Sequence, residues 1–222
     1  MHDIEGNVAV VRARIVAAAG RAGRSEDDIT LIGVSKTHPA ERVAAAWAAG
    51  LRDFGENRVQ EAVGKIDALR LRGMSSRWHL VGHLQRNKAA VAIGLFDILH
   101  SVDSERLAEV ISAHAEAPVR VLIEVNVAGE PSKFGVSPPD ALKLAERLGR
   151  LAGLDVAGLM TVAPRADHPE DVRPVFRTLR QLRDAAGLRE LSMGMTDDFE
   201  VAVEEGSTLV RVGRAIFGAR DV

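Results

Sequence analysis

The sequence predicts a single (β/α)₈ TIM barrel, and three observations carry that prediction. Eight short β-branched or apolar runs alternate with Ala-, Leu- and Arg-rich helical stretches. No Ser/Gly-rich linker divides the 222 residues. Side chains turn polar at the C-terminal ends of the runs, which is where barrel sites are built. Strand–helix alternation gives a parallel sheet, because each helix carries the chain back to begin another parallel strand. Eight such units close into a barrel at lengths from about 200 residues upward. An open, doubly wound sheet fits less well, since the first run lacks a G-x-G-x-x-G turn.

Each element has its own justification. In "IEGNVAVVRARIVAAAGRAGR" the spacing of Ile4, Val8, Val11, Ile15 and Val16 predicts an extra N-terminal helix with a core face. Asp3 and Glu5 at its start argue against a transit peptide, which would be poor in acids. The predicted strands are "ITLIGVSK" (29–36), "LRDFGEN" (51–57), "RWHLVGH" (77–83) and "DILHSVD" (97–103). They continue with "VRVLIEVNV" (119–127), "LDVAGLMTV" (154–162), "ELSMGM" (190–195) and "TLVRVG" (208–213). Helices are predicted over 39–49, 58–71, 104–116, 138–151, 171–186 and 198–205, and "QRNKAAVAIGLF" is a weak helical segment. The longest predicted loop, "AGEPSKFGVSPPD" (128–140), lies on the strand-to-helix side.

Composition narrows the function. A formal net charge of -2 argues against a dedicated nucleic-acid binder. Cysteine is absent, which excludes disulfides, thiolate catalysis and cysteine-ligated metals, and fits a cytoplasmic protein. No apolar run approaches the roughly 20 residues needed to span a bilayer. No exposed apolar stripe stands out, so a monomer formed by one domain over residues 1–222 is expected.

Polar residues at the strand ends converge on one mouth in such a barrel. Here they are Lys36, Glu56, Asn57, His79, His83, Asp103, Asn126, Thr161, Ser192, Thr196 and Arg211. Lys36 is either a surface lysine at a strand end or an amine that condenses with an aldehyde. In "SMGMTDD" (192–198), Ser and Thr hydroxyls, glycine amides and a helix start can hold an anion, or Thr196 is an ordinary N-cap. Arg211 alternates with Val210 and Val212 and so points to the opposite face. If that face is the barrel interior, it needs a partner, and a salt bridge is the plain alternative. A lysine amine, a phosphate cradle after the last two strands and a buried arginine between them together describe pyridoxal 5'-phosphate (PLP).

Seven ordered blocks then resemble the pyridoxal phosphate homeostasis protein family over essentially the whole length. They are "VSKTHPA", "FGENRVQE", "WHLVGHLQRNK", "VNVAGEPSKFG", "GLMTVAP", "LSMGMTDD" and "STLVRVGRAIFGARD". The resemblance implies a barrel like the alanine racemase N-terminal domain, with PLP held as a Schiff base on Lys36. It implies further cofactor contacts from Asn57, His79, Ser192, Gly194, Met195, Thr196, Arg211 and Gly213. Thr196 stands where many relatives have serine. Arg214 stands where many have a small hydroxyl residue, so its backbone N–H or guanidinium would have to replace that hydroxyl.

An always-protonated arginine facing the pyridine nitrogen discourages ring protonation and weakens the ring as an electron sink. Alanine racemases pair their lysine with a tyrosine from a second domain and a neighbouring subunit. This sequence has no tyrosine and ends where the barrel closes. The expectation is therefore a PLP carrier serving intracellular homeostasis and delivery to PLP-dependent apoenzymes, without strong catalysis. A PLP-dependent racemase or lyase of narrow range is the alternative, and a Schiff-base aldolase without cofactor is a third reading. Elsewhere, strand geometry argues against His79 and His83 as a metal pair. Glu56 and Asp103 read as a carboxylate pair or as cross-strand ion pairs, and His38 as positional. Trp47 reads as core packing, and "EDVRPVFRTLRQLRD" (170–184) as a solvated outer wall.

Overall fold

In the computed structural model, which describes residues 3–219, every predicted strand forms. The barrel units are β1 (Thr30–Val34) with α2 (Ala40–Ala48), β2 (Asp53–Glu56) with α3 (Val59–Arg70), and β3 (Arg77–Leu80) with α4 (Ala89–Leu95). Then come β4 (Ile98–Val102) with α5 (Glu105–His114), β5 (Val119–Glu124) with α6 (Pro138–Leu148), and β6 (Leu154–Met160) with α7 (Arg173–Ala185). The last are β7 (Glu190–Ser192) with α8 (Phe199–Glu204) and β8 (Leu209–Val212) with α9 (Arg214–Phe217). The strands follow chain order, and β8 closes on β1 in parallel with Ile32 opposite Arg211 and Gly33 opposite Val212.

Strand alternation separates two apolar clusters. Phe54, Leu80, Leu99, Val121, Leu159 and Val210 face outward and join the helices in the main core. Ile32, Ile98, Leu122, Ala157, Met160 and Leu209 form a small inner cluster. That inner set is too small to fill a barrel alone, and polar side chains complete the interior.

The N-terminal helix α1 (Ile4–Arg21) lies against α2, α8 and α9. Asp3 caps it, accepting from the Gly6 N–H at 2.8 Å. Ile4, Val8, Val11 and Ile15 are buried as expected, joined by Ala18 and Ala19, but Val16 is 45% exposed. One residue is about 100° of helix, so Val16 turns off the stripe that Ile15 belongs to. The weak helical segment before β4 forms a 3-10 turn, Arg86–Lys88, and then the short α4. Trp47 is only half-buried, with its indole N–H on Ser75 O at 2.9 Å and Arg52 over its ring.

The charged face of α7 is not simply solvated. Arg177, Arg173 and Arg180 reach the buried Glu205 carboxylate at 3.0, 3.3 and 3.4 Å. Arg173 and Arg21 also hold Glu204. Phe176 and Leu179 are buried on the adjoining face of α7. Among the described residues no helix is long and apolar enough to cross a membrane.

Burial raises the Glu205 carboxyl, but the arginine bonds outweigh it and hold the group below the usual carboxylate range. Its stabilising effect is therefore present above that range and lost as pH falls through the depressed value. Glu205→Gln should lower the unfolding free energy by about 1–3 kcal/mol at neutral pH, with the gap closing in acid. Denaturant melts at neutral and acidic pH read this; a gap that does not depend on pH would contradict it.

Candidate active site at the barrel mouth

A continuous hydrogen-bonded chain runs through the barrel interior. Near the N-terminal end, Arg77 Nε lies 2.8 Å from Asp53 Oδ1, which is 3.0 Å from His79 Nε2. His79 Nδ1 is 2.9 Å from His100 Nε2, and His100 Nδ1 is 2.8 Å from Ser192 Oγ. Arg211 completes the chain, donating from Nη1 to Ser192 Oγ at 2.5 Å and from Nη2 to Thr161 O at 2.8 Å. His79, His100 and Ser192 are fully buried, and Arg211 is 4% exposed.

The chemistry of these groups fixes the direction at the two ends of the chain. Burial raises the Asp53 carboxyl, but bonds from His79 and Arg77 prevail and hold it below its ordinary value, so it accepts. Burial, with the charges of His79 and Arg211, drives the His100 imidazole well below its ordinary value, so it is neutral. His79 therefore donates from Nε2 to Asp53 at one end, and Arg211 donates to Ser192 at the other. Burial also pushes the Arg211 guanidinium down to about 10, against the opposing charges of Asp198 and Glu124, and it stays a cation at neutral pH. Its two bonds leave part of the donor fork for a ligand acceptor.

Above this chain, the loops after β7 and β8 lie side by side, with the Arg211 N–H on Gly194 O at 3.0 Å. Gly194 has φ 92°, and a Cβ there would stand 2.5 Å from Ala202 Cβ, so only glycine lets the loop lie against α8. Met195 donates its N–H to Asp198 Oδ1, which braces the turn that carries the half-buried Thr196. Asp198, rather than Thr196, occupies the N-cap position of α8, so the Thr196 hydroxyl is not used as the cap. Gly213 caps α9 and its carbonyl accepts from the Ile216 and Phe217 N–H groups at 3.0 and 2.9 Å, which leaves the Arg214 and Ala215 N–H groups at the helix start with no acceptor in the helix. A Cβ on Gly213 would stand 3.2 Å from Val34 O, so this edge of the cradle touches the end of β1. Lys36 follows two residues later and is half-buried. The lysine and the loop after β8 thus rise from neighbouring strand ends.

The residues expected to touch a ligand divide into two levels. Lys36, Asn57, Gly194, Met195, Thr196 and Gly213 lie at the mouth. Ser192 and His79 differ from expectation. The Ser192 hydroxyl bonds His100 and Arg211. Both ring nitrogens of His79 are engaged deeper inside. Arg214 spans the cradle to pair with Asp197.

Other strand-end residues are braces. Asn126 exchanges bonds with the Glu130 backbone, and Thr161 donates to Val125 O. Glu56 and Asp103 form no carboxylate pair, because Glu56 faces Lys65 at 2.5 Å and Asp103 faces His83 at 3.5 Å. Among the described residues no metal-binding cluster forms. His38 is buried and stacked on Phe217, a positional role. Asp53 and His100 escaped the sequence reading, although a histidine amid the apolar residues of "DILHSVD" was a visible signal.

Glu124, at the end of β5, is 8% exposed. Burial and the nearby Asp103 charge raise its carboxyl to about 7, although Arg211 opposes this. A raised carboxyl holds its proton in the fold where the unfolded chain has released it, so stability falls as pH rises from about 4.5 to about 7. The shift corresponds to roughly 3 kcal/mol once both states are ionised. Glu124→Gln should therefore be more stable than the parent above neutrality and similar to it near pH 4.5. Thermal melts across pH test this; equal midpoints at alkaline pH would contradict it.

Comparisons with known proteins agree with this geometry. A family model described as "Alanine racemase, N-terminal domain" matches residues 7–221. The pyridoxal phosphate homeostasis protein of Aquifex aeolicus (strain VF5) is 45% identical over 219 residues, covering 95% of each chain. The solved structure of PipY from Synechococcus elongatus PCC7942 with PLP bound has a TM-score of 0.85 at 36% identity, covering 97% of this chain and 100% of that one. An alanine racemase from Clostridium difficile 630 has a TM-score of 0.74 at 17% identity, covering 99% of this chain and 57% of that one, and shows the shared fold. This chain belongs to the pyridoxal phosphate homeostasis protein family, built on the barrel of the alanine racemase N-terminal domain.

Proposed function

We propose that this chain, as a single barrel domain, binds PLP reversibly through a Schiff base to Lys36 and serves intracellular PLP homeostasis, delivering the cofactor to apoenzymes without strong catalysis of its own. The observation that carries the reading is Arg211, a buried cation anchored on Ser192 and Thr161 beneath the mouth shared by Lys36 and the anion cradle. PLP, when bound, supplies an aldehyde that a lysine amine can hold and a ring that can act as an electron sink.

The chain's own residues divide the work of holding it. Thr196, with the backbone N–H groups of Gly194 and Thr196 and of the start of α9, faces the phosphate, and Asn57 and Met195 border the ring. Arg214, engaged with Asp197, contributes its backbone N–H in place of the hydroxyl found in many relatives. Arg211 presents an N–H to the ring nitrogen. Being protonated at neutral pH, it opposes a second proton there, and this supports storage over turnover. Ser192 and His79 act through Arg211 rather than on the phosphate.

The exposed large apolar side chains lie apart on α1, α3, α4, α6 and the mouth loops, which supports a monomer. The cysteine-free composition supports a cytoplasmic setting.

A visible absorption band on incubation with PLP, absent from Lys36→Ala, is the expected result; a colourless parent protein would sink the reading. Arg211→Glu, with cofactor still bound, should raise α-proton exchange of amino acids in deuterated water; unchanged exchange would contradict the role given to Arg211. Racemase or lyase turnover above roughly 1 s⁻¹ in the parent would overturn the carrier assignment.

A further inference from the structure

Lys36 sits in a turn that is gripped from outside the barrel. Ser35 is fully buried and donates its hydroxyl to Glu56 Oε1 at 2.6 Å. Lys65, on α3, donates to the same carboxylate oxygen at 2.5 Å and to Ser35 O at 2.8 Å. One helical turn earlier, Glu61 accepts the Thr37 N–H and lies 3.8 Å from Lys65 Nζ. Both neighbours of Lys36 in sequence are thus fastened to α3 and β2. Between these fastenings the backbone is strained, since Thr37 has φ 66°, the one positive φ among the described non-glycine residues. A β-branched residue holds that conformation only where its surroundings impose it.

Stability alone is a poor reason for this arrangement. Glu56 is fully buried, yet its Oε2 has no hydrogen-bond partner. Taking an ion pair out of water generally costs about as much as its attraction returns, and apolar replacements are often equally stable or more so. The pair does, however, hold Ser35 at its hydroxyl and its carbonyl, and Glu61 holds the Thr37 N–H, so the turn is fixed from β2 and α3 together.

We propose that the buried Glu56–Lys65 pair, with Glu61, is a positioning device that sets the strained turn at residues 35–37 and so aims the Lys36 amine for covalent capture of the cofactor aldehyde. In that step the amine nitrogen adds to the aldehyde carbon, and one water leaves as C=N replaces C=O. The inference rests on the cofactor reading above. It assigns these side chains to the approach of the amine, and it leaves the ring and phosphate contacts to the other side of the mouth.

The test is the double variant Glu56→Gln/Lys65→Met, which removes both charges together and keeps an acceptor for the Ser35 hydroxyl. Ser35 O retains the bond from the His38 N–H at 3.1 Å. The expected result has three parts. Thermal stability is equal to or above the parent. Binding of pyridoxine 5'-phosphate, which has the ring and phosphate but no aldehyde, stays within about twofold. The stopped-flow rate of Schiff-base formation with PLP falls by roughly tenfold or more, the scale on which misorientation acts. A folded double variant that captures PLP at the parent rate overturns the proposal. If the double variant does not fold, Glu61→Gln at the edge of the grip decides in the same way, by slower capture with unchanged analogue binding or by the parent rate. A parent protein that captures no PLP would overturn the cofactor reading itself, whereas failure confined to the variant comparison removes only the positioning role.

Discussion

A guanidinium inside a barrel of this kind must be held by acceptors already in place, because an unpaired buried cation costs several kcal/mol. Arg211 meets that demand through Ser192 and Thr161, and the Ser192 hydroxyl also bonds His100 Nδ1. His79 and Asp53 extend the chain to the opposite end of the barrel. The carboxylate of Asp53, itself held by Arg77, anchors that end of the chain. The chain also fills space that the small inner apolar cluster leaves open. Packing the barrel and orienting the arginine are therefore one arrangement.

Strand alternation then assigns two tasks to two faces of the same wall. On β2, Asp53 points inward to the histidine chain, while Phe54 and Glu56 point outward to the core and to α3. At the end of β1, Ser35 meets Glu56 and Lys65 on the outside, and Lys36 follows at the rim beside the end of β8. Residues adjacent in sequence thus serve a grip on one side of the sheet and a ligand mouth on the other. The parallel register of β1 with β8 sets Ile32 opposite Arg211 and brings the β1 end that leads to Lys36 against Gly213.

Much of this was legible in the sequence because it depends on local pattern. Period-two runs, helical stretches and their count gave the closed barrel, and the inward direction of Arg211 followed from its valine neighbours. What escaped is what depends on three-dimensional convergence. Nothing near Ser192 in sequence indicates that His100, 92 residues away, will use its hydroxyl, so an anion-binding role looked equally natural. The charged face of α7 looked solvated because Glu205, the group it encloses, lies on another helix. Val16 looked buried because one extra apolar residue beside a true stripe is indistinguishable by composition. Sequence pattern located the mouth; it did not reveal the polar chain beneath it.

In the proposed function that chain acts through a single consequence, the protonation state of the cofactor ring that Arg211 is proposed to face. The most direct test is nitrogen NMR of the protein loaded with PLP labelled with ¹⁵N at the pyridine position, recorded at neutral pH. The account predicts the resonance of an unprotonated, hydrogen-bonded ring nitrogen. A pyridinium resonance would show that the buried arginine does not govern the ring, and would contradict the account.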